Sequence, residues 1–282
     1  MTTRPIVSKS QWTEARIALL AKEKELTRQR DELARQRREL PWVKVDQNYV
    51  FDGPDGKVAL GHLFGDRSQL IVYHFMFGPD WAEGCPSCSY VCDHLDGTLS
   101  HLAARDVSLV AVSRAPVSKI AAFKKRMGWR FPWVSSHDNA FNYDFHVSFT
   151  PEERAKGGVY YNYGTAPFPS EEAPGASVFY KDPGTGEIFH TYSAFSRGLD
   201  ALLGTYVLLD LTPKGRDEDH LPFSMQWVRH HDRYETRAAF ADADKPYWPK
   251  VELTLAGTAM SVAAGSGLDC GPSCGCGSEK RK

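Results

Sequence analysis

The chain has 282 residues, and 34 Lys and Arg residues nearly balance 35 Asp and Glu residues, for a formal net charge of −1. This length exceeds one typical domain by a modest margin, so we expect one α/β core with added segments. The balanced charge argues against nucleic-acid and anionic-membrane partners. The N-terminus lacks an apolar signal region, and the longest apolar run, Leu70 to Phe77, is too short to span a bilayer. These features predict a cytoplasmic protein.

Residues 1–40 are predicted to contain one charged helix, from Trp12 to Leu40, which Pro41 ends. Four leucines recur at seven-residue spacing, but the second apolar column of a coiled coil is missing. The helix therefore either docks on its own domain or forms the arm of a homodimer. The four leucines are Leu19, Leu26, Leu33 and Leu40.

The next segments alternate between strands and helices. A hairpin around the turn Gly53 to Gly56 comes first. The apolar run that follows has the composition of a strand buried on both faces, with His74 neutral and structural. The predicted core elements are strands at 70–77 and 107–112 and helices at 86–103 and 116–127. His94 is predicted to face solvent on the first of these helices.

A loop-rich insertion at about 150–175 shows no clear helix signal, and a hairpin and a helix follow it at 177–193 and 199–211. The order β-α-β-α-β-β-α predicts an α/β, thioredoxin-like fold over residues 41–212. Residues 213–256 form a C-terminal extension. Residues 257–282, rich in Gly and Cys, are predicted to be a flexible, disordered tail.

The chemistry-bearing pattern is Cys85-Pro86-Ser87-Cys88, where a buried strand gives way to a helix. Cys85 falls at the helix N-cap, where free backbone N–H groups and the positive dipole end favour a thiolate. Cys88 lies one turn further on the same face and can resolve a mixed disulfide. We predict that Cys85 is the nucleophile and Cys88 the resolving thiol.

Cys92 continues the same helix face and allows two interpretations. It is either a small buried residue of the core stripe or a third sulfur ligand beside Cys85 and Cys88 for a soft metal such as copper or zinc. In the metal interpretation His190 and His231 are the candidate nitrogen ligands. Tail cysteines with C-x-x-x-C-x-C spacing could bind the same metals or exchange disulfides. These are Cys270, Cys274 and Cys276.

The run WAEGCPSCSYVCDHLDG, from Trp81 to Gly97, resembles a bacterial thioredoxin-like family known mainly as a domain of unknown function, family 899. The segments VFYKDPGTGEIFHTYSAFSRGLD and WVRHHDRY agree with it. The resemblance implies a thioredoxin-like fold and does not imply a reaction. The layout is also distantly similar to peroxiredoxins, which carry a Thr three residues before the reactive Cys. Here that position is Ala82, which lacks the hydroxyl of Thr. We therefore rank a peroxidase below a dithiol-exchange protein.

Copper-delivery proteins of related fold are similar as well, because two of their cysteines are separated by three residues, as Cys88 and Cys92 are. Two functions based on the cysteines therefore stay open, and a noncatalytic interaction protein that uses the N-terminal helix ranks below both. The first is a thiol-disulfide oxidoreductase acting on a protein or small-molecule thiol or disulfide. The alternative is a protein that binds or delivers copper or zinc through thiolates on the same scaffold. No other cofactor is expected.

Overall fold

The computed structural model of the protein describes residues 4–234. The helices are α1 Lys9–Arg38, α2 Pro86–Leu95, α3 Leu99–Ala103, α4 Val117–Met127, α5 Phe141–Asp144, α6 Pro151–Ala155 and α7 Gly204–Asp210. The strands are β1 Val43–Lys44, β2 Val50–Gly53, β3 Gly56–Ala59, β4 Gln69–His74, β5 Val107–Ser113, β6 Trp133–Ser135, β7 Val159–Tyr161, β8 Gly164–Ala166, β9 Gly175–Lys181 and β10 Ile188–Phe195. Short 3₁₀ turns include Asp96–Thr98, Ser196–Leu202 and His231–Arg233.

Eight strands form one mixed sheet in the order β1-β10-β9-β4-β5-β6-β2-β3, and β7 pairs with β8 separately. Strands β4, β5 and β6 are parallel, whereas β9 is antiparallel to both β4 and β10. Helix α2 is the next element after β4. Strand β5 pairs with one edge of β4, and the β9–β10 hairpin pairs with the opposite edge. This arrangement is the thioredoxin-like fold predicted from the order of the elements.

Strand β4 lies at the centre and is buried on both faces, as its apolar run predicts. Leu70 and Val72 belong to the core on one face of the sheet. Tyr73 and the following Phe75 belong to the core on the other face, which includes residues of α2 and α4. The alternation places the two cores on opposite sides of one strand.

A chain of side-chain hydrogen bonds crosses three strands on the first of these faces. His74 Nε2 lies 2.8 Å from Ser177 Oγ, which lies 2.8 Å from Ser193 Oγ, and Ser193 Oγ lies 2.8 Å from His190 Nε2. Burial lowers the pKa of His74 to about 3, so its imidazole is neutral, as predicted. The chain joins β4, β9 and β10 through polar groups inside an otherwise apolar layer.

Helix α1 begins three residues before the predicted start, because Ser8 and Gln11 form a capping box at its N-terminus. The helix buries none of its residues. Arg37 near its C-terminal end lies 5.4 Å from the ring of Tyr192 on β10. Docking on its own domain and a dimer arm both remain predictions. The leucines at seven-residue spacing are all between 44% and 51% exposed: Leu19, Leu26, Leu33 and Leu40.

The predicted helix at 86–103 is interrupted by the turn Asp96–Thr98. The buried Asp96 carboxylate accepts hydrogen bonds from the backbone N–H groups of Arg130 and Phe131, at 2.6 and 3.1 Å. The prediction that His94 faces solvent is wrong. Its Nε2 accepts the Thr205 N–H at 2.9 Å, because α7 begins against this helix.

The insertion does contain a helix, contrary to expectation. Thr150 and Glu153 form a capping box around the short helix α6. The β7–β8 hairpin follows, and both turn residues, Asn162 and Tyr163, have positive φ, 53° and 62°. A bulky residue in this conformation is uncommon, and here it holds Tyr163 beside β10.

No helix within residues 4–234 has the length and apolarity required to cross a membrane.

Candidate redox site

Cys85 is the N-cap residue of α2, as the sequence predicts, and Pro86 occupies the first helical turn. The Cys85 N–H donates to the carbonyl oxygen of Met76 at 3.1 Å, and the Cys85 carbonyl accepts from Ser89 N–H at 2.9 Å. The backbone on both sides of the cysteine is therefore fixed. Its side chain is half-buried at the positive end of the helix.

Cys88 lies one turn into α2 and is buried. The two thiols hydrogen-bond to each other, and this bond is the largest effect that lowers the pKa of Cys85, to about 7. The backbone N–H groups of Cys88 and Ser87 act in the same direction, whereas burial opposes them. Burial raises the pKa of Cys88, and the neighbouring Cys85 raises it further. The pair is thus asymmetric, with an ionisable outer thiol and a protonated inner one.

Tyr73 lies below the pair and is fully buried. Its hydroxyl has no hydrogen-bond partner that meets normal geometry within residues 4–234. Burial raises the pKa of Tyr73 first, and the nearby Cys88 and Cys92 raise it further. A neutral phenol facing Cys88 can stabilise a thiolate there during turnover, although it cannot accept a proton.

A cavity of about 200 Å³ lies on the Cys88 side of α2. Its lining is mostly apolar, with the ion pair of Arg197 and Asp200 at 2.8 Å. The cavity gives a bound molecule access to the helix face that carries the inner thiol. The lining includes Tyr73, Met76, Cys88, Val91, Pro174 and Leu203.

The residue before Cys85 has to be glycine. A Cβ on Gly84 would lie 2.6 Å from the ring of Phe75 and 2.9 Å from the ring of Phe123. The Gly84 carbonyl oxygen lies 2.8 Å from Nε2 of the buried His230, which comes from the C-terminal extension. This close packing holds the loop that presents Cys85.

The acidic residue in the same loop, Glu83, is paired with two arginines. Its carboxylate accepts from Arg126 at 2.8 Å and from Arg233 at 2.6 Å. Arg126 also contacts Asp232 at 2.8 Å. Because both arginines neutralise Glu83, it opposes the Cys85 thiolate less than an unpaired carboxylate in this loop would. These ion pairs join the C-terminal extension to the Cys85 loop and to α4. The sequence pattern WVRHHDRY contains Asp232 and Arg233 but does not show which loop they contact.

The candidate metal ligands are not brought together. Cys92 is buried in the core, and burial raises the pKa of its thiol. His190 packs against Phe145 and Phe179 in the core on the opposite face, and His231 Nδ1 lies 2.7 Å from Asp93. Residues 4–234 contain no group of three or more His, Cys, Asp or Glu side chains suited to a metal ion. The three tail cysteines, Cys270, Cys274 and Cys276, lie outside the described residues.

Pro174 directly precedes β9. No peptide bond between residues 4 and 234 is cis, so Pro174 is trans. Its carbonyl oxygen accepts the hydroxyl of Tyr161 at 2.7 Å, and the same hydroxyl accepts the N–H of Ser196 at 2.9 Å. Tyr161 of the insertion thus joins two segments that line the Cys88 cavity.

The geometry defines a thioredoxin-like protein with an asymmetric dithiol at a helix N-terminus. The chain belongs to a family described as "Bacterial protein of unknown function (DUF899)", whose profile matches residues 1–234. The matched range includes His230 and Arg233, through which the C-terminal extension contacts Gly84 and Glu83. Among curated proteins, none matches this sequence.

Solved structures similar to this chain include peroxiredoxins. Peroxidoxin BcpB from Mycobacterium tuberculosis shares 16% identity over 59% of this chain and 95% of its own, with a TM-score of 0.40. Peroxiredoxin Q of Xanthomonas campestris shares 14% identity over 60% and 98%, with a TM-score of 0.39. The mitochondrial 2-Cys peroxiredoxin of Plasmodium falciparum shares 12% identity over 60% and 94%, with a TM-score of 0.33.

Proposed function

We propose that the protein is a thiol-disulfide oxidoreductase in which Cys85 attacks and Cys88 resolves. The observation that carries this proposal is the asymmetry of the pair. Cys85 is partly exposed with a pKa lowered to about 7, and Cys88 is buried one turn below with a raised pKa. A nucleophile with a pKa near ambient pH combines a high thiolate fraction with good intrinsic reactivity.

The reaction needs only the two cysteines and a disulfide substrate. The Cys85 thiolate attacks one substrate sulfur, the substrate S–S bond breaks, and the first substrate thiol leaves. Cys88 then attacks the Cys85 sulfur, and its proton passes to the departing second thiolate. The protein is left with a Cys85–Cys88 disulfide and two electrons have moved to the substrate. A cellular dithiol reductant restores the pair by the reverse exchange.

The direct test is a redox titration against glutathione buffers, with the Cys85–Cys88 disulfide quantified by mass after alkylation. We expect a two-electron couple between about −200 and −270 mV. Cys85→Ser and Cys88→Ser should each abolish the couple, whereas Cys92→Ala should leave it in place. A pair that shows no reversible couple in this buffer series would contradict the proposal.

Two further measurements on the same purified protein distinguish the competing functions. Elemental analysis of protein purified without oxygen tests the copper or zinc alternative, and stoichiometric metal lost in the Cys85→Ser, Cys88→Ser double variant would favour that alternative. A peroxidase would consume hydrogen peroxide with a dithiol reductant faster than it reduces disulfides. We expect the opposite order of rates, because Ala82 cannot donate a hydrogen bond from its side chain to a peroxide.

A further inference from the structure

Two further cavities lie near the Cys88 cavity along β10. A second cavity of about 620 Å³ shares Ser196 and Arg197 with it. A third cavity of about 500 Å³ shares Tyr163, His190 and Phe195 with the second. These shared residues place the three cavities next to one another between Cys88 and β10, and we name them together the β10 groove.

One wall of the β10 groove is an unpaired sheet edge. Strand β1 pairs with β10 only at Phe189 and His190. Within residues 4–234, residues 191–195 of β10 therefore have no neighbouring strand on their outer side. The middle cavity is lined by these residues. An unpaired edge presents backbone N–H and C=O groups at the spacing of a strand, which is the template that an added strand requires.

One carbonyl group of this edge is bonded to a side chain that a bound polypeptide can displace. The carbonyl oxygen of Ser193 accepts the hydroxyl of Tyr163 at 3.1 Å, and Tyr163 is 66% exposed. The charged residues Arg197 and Asp200, where the two cavities meet, are paired with each other. The backbone groups of the free edge and the mostly apolar Cys88 cavity suit an extended polypeptide, and the outer cavity adds polar side chains that include Lys44, Asp46 and Asp144.

We propose that the substrate of Cys85 is a disulfide carried on an extended polypeptide, which adds a strand to residues 191–195 and places an apolar side chain in the Cys88 cavity. The inference rests on the proposed function and specifies its substrate class. The observation that carries it is the unpaired edge of β10, which lines a cavity that shares Ser196 and Arg197 with the Cys88 cavity. The polypeptide backbone would provide affinity, and the cavity would select the side chain beside the reacting cysteine.

The test uses the full chain with Cys88→Ser, so that the reaction stops at the mixed disulfide. The probe is a peptide with about six residues on each side of one cysteine, which at about 3.3 Å per residue spans the free half of β10. The peptide cysteine carries nitrothiobenzoate as a mixed disulfide. Cys85 attacks the peptide sulfur, the probe S–S bond breaks, and nitrothiobenzoate leaves as a coloured thiolate.

Two matched probes isolate the backbone contribution. One is N-acetylcysteine carrying the same leaving group, and the other is the same peptide N-methylated at alternate residues, which removes strand hydrogen bonds without changing the side chains. We expect the second-order rate constant of the unmodified peptide to be at least about tenfold larger than that of either control, as two or three backbone hydrogen bonds would produce. Those amides of residues 191–195 that point away from β9 should gain hydrogen-exchange protection only in the adduct with the unmodified peptide.

Failure of the two proposals can be told apart. If N-acetylcysteine nitrothiobenzoate does not react with Cys85, the proposed oxidoreductase is wrong. If it reacts but the three probes have equal rates, the oxidoreductase stands and the peptide groove is overturned. Protection of the outward-pointing amides of residues 191–195 before any probe is added would also overturn the inference, because the edge would already be covered by the chain's own C-terminal residues or by a second copy.

Discussion

The imidazole Nε2 of His230 lies 2.8 Å from the carbonyl oxygen of Gly84, the residue before the nucleophile. Burial lowers the pKa of His230, so the ring is neutral at ordinary pH. Because a carbonyl oxygen can only accept, Nε2 carries the proton. Nδ1 then accepts from the Arg126 guanidinium at 3.2 Å. The C-terminal extension thereby fixes the loop that presents Cys85.

His230→Ala should loosen this loop and slow alkylation of Cys85. We expect a loss of about 1–3 kcal/mol in the free energy of unfolding, since the buried Gly84 carbonyl loses its partner. We also expect a displaced pH profile for Cys85 alkylation by iodoacetamide, which a purely structural residue would not move. His230→Gln, which can still donate, is the matched control. If the Ala and Gln variants share the wild-type profile, His230 does not position Cys85.

The hydrogen bond from Cys88 should account for most of the reactivity of Cys85. Cys88→Ala removes the donor and should raise the pKa of Cys85, whereas Cys88→Ser keeps a donor and should preserve the lowered value. Since one pKa unit corresponds to about a tenfold change in thiolate fraction, alkylation at pH 7 should fall about tenfold in the Ala variant only. Alkylation rates measured from pH 5 to pH 9 give both pKa values. Identical profiles would show that the helix N-terminus alone sets the pKa.

Glu172 should make the protein less stable as the pH rises. It is buried, and burial raises its pKa to about 7 from 4.5, although Ser148 and Arg114 oppose the rise. Between these values the folded state holds a proton that the unfolded state has lost, so the free energy of unfolding falls as pH increases through this window. The loss approaches about 3 kcal/mol above pH 7.

Glu172→Gln removes the titrating group and should abolish this pH-dependent loss. Glu152→Gln makes the same substitution at an exposed position of α6 and should keep the wild-type slope. Urea unfolding at several pH values from 4.5 to 7.5 measures the difference between the two variants. A parallel pH dependence in both would mean that the carboxyl of Glu172 is ionised throughout.

Cys92 should matter for stability and not for redox chemistry. It is a buried, protonated thiol in the core, on the same helix face as the dithiol. Cys92→Ser introduces a hydroxyl without an assured partner and should cost about 1–3 kcal/mol, whereas Cys92→Ala should cost about 1 kcal/mol. The midpoint potential of Cys85 and Cys88 should be the same in both variants. A displaced potential would place Cys92 in the redox cycle.

The exposed leucines of α1 should mediate self-association. Because the helix buries none of its residues, the double substitution Leu26→Asp, Leu33→Asp should change the free energy of unfolding of the domain by less than about 0.5 kcal/mol. Sedimentation velocity should show a dimer for the wild-type chain and a monomer for the double variant. Glu25→Ala, on the polar part of the helix, is the control. A wild-type monomer would rule out the dimer arm.

The sequence was most informative where one physical rule dominates. The continuous apolar run before Cys85 predicted a strand buried on both faces, and the spacing of Cys85 and Cys88 predicted a nucleophile at a helix N-cap above an inner thiol. These features depend on local composition and helix geometry. The thioredoxin-like order of elements followed from them.

Features that depend on distant contacts were missed. Strand β6 has only three residues and is defined by its pairing with β5, which no local pattern reveals. His94 was placed in solvent because helical periodicity does not show where α7 begins. The capping box at Thr150 and Glu153 was present in the sequence and could have predicted α6. The position of His230 beside Gly84 joins residues 146 positions apart and requires the fold.

The polar chain from His74 to Ser177 has a further consequence, which concerns how the sheet assembles. A shift of β9 by one residue against β4 would put Ala176 or Val178 in place of Ser177, and neither side chain can hydrogen-bond to an imidazole. The neutral His74 would then be enclosed among phenylalanines without that partner, at a cost of about 1–3 kcal/mol. A shifted pairing of β9 with β4 therefore loses the hydrogen bond of His74. This histidine favours the native register while the apolar faces of the sheet are being buried.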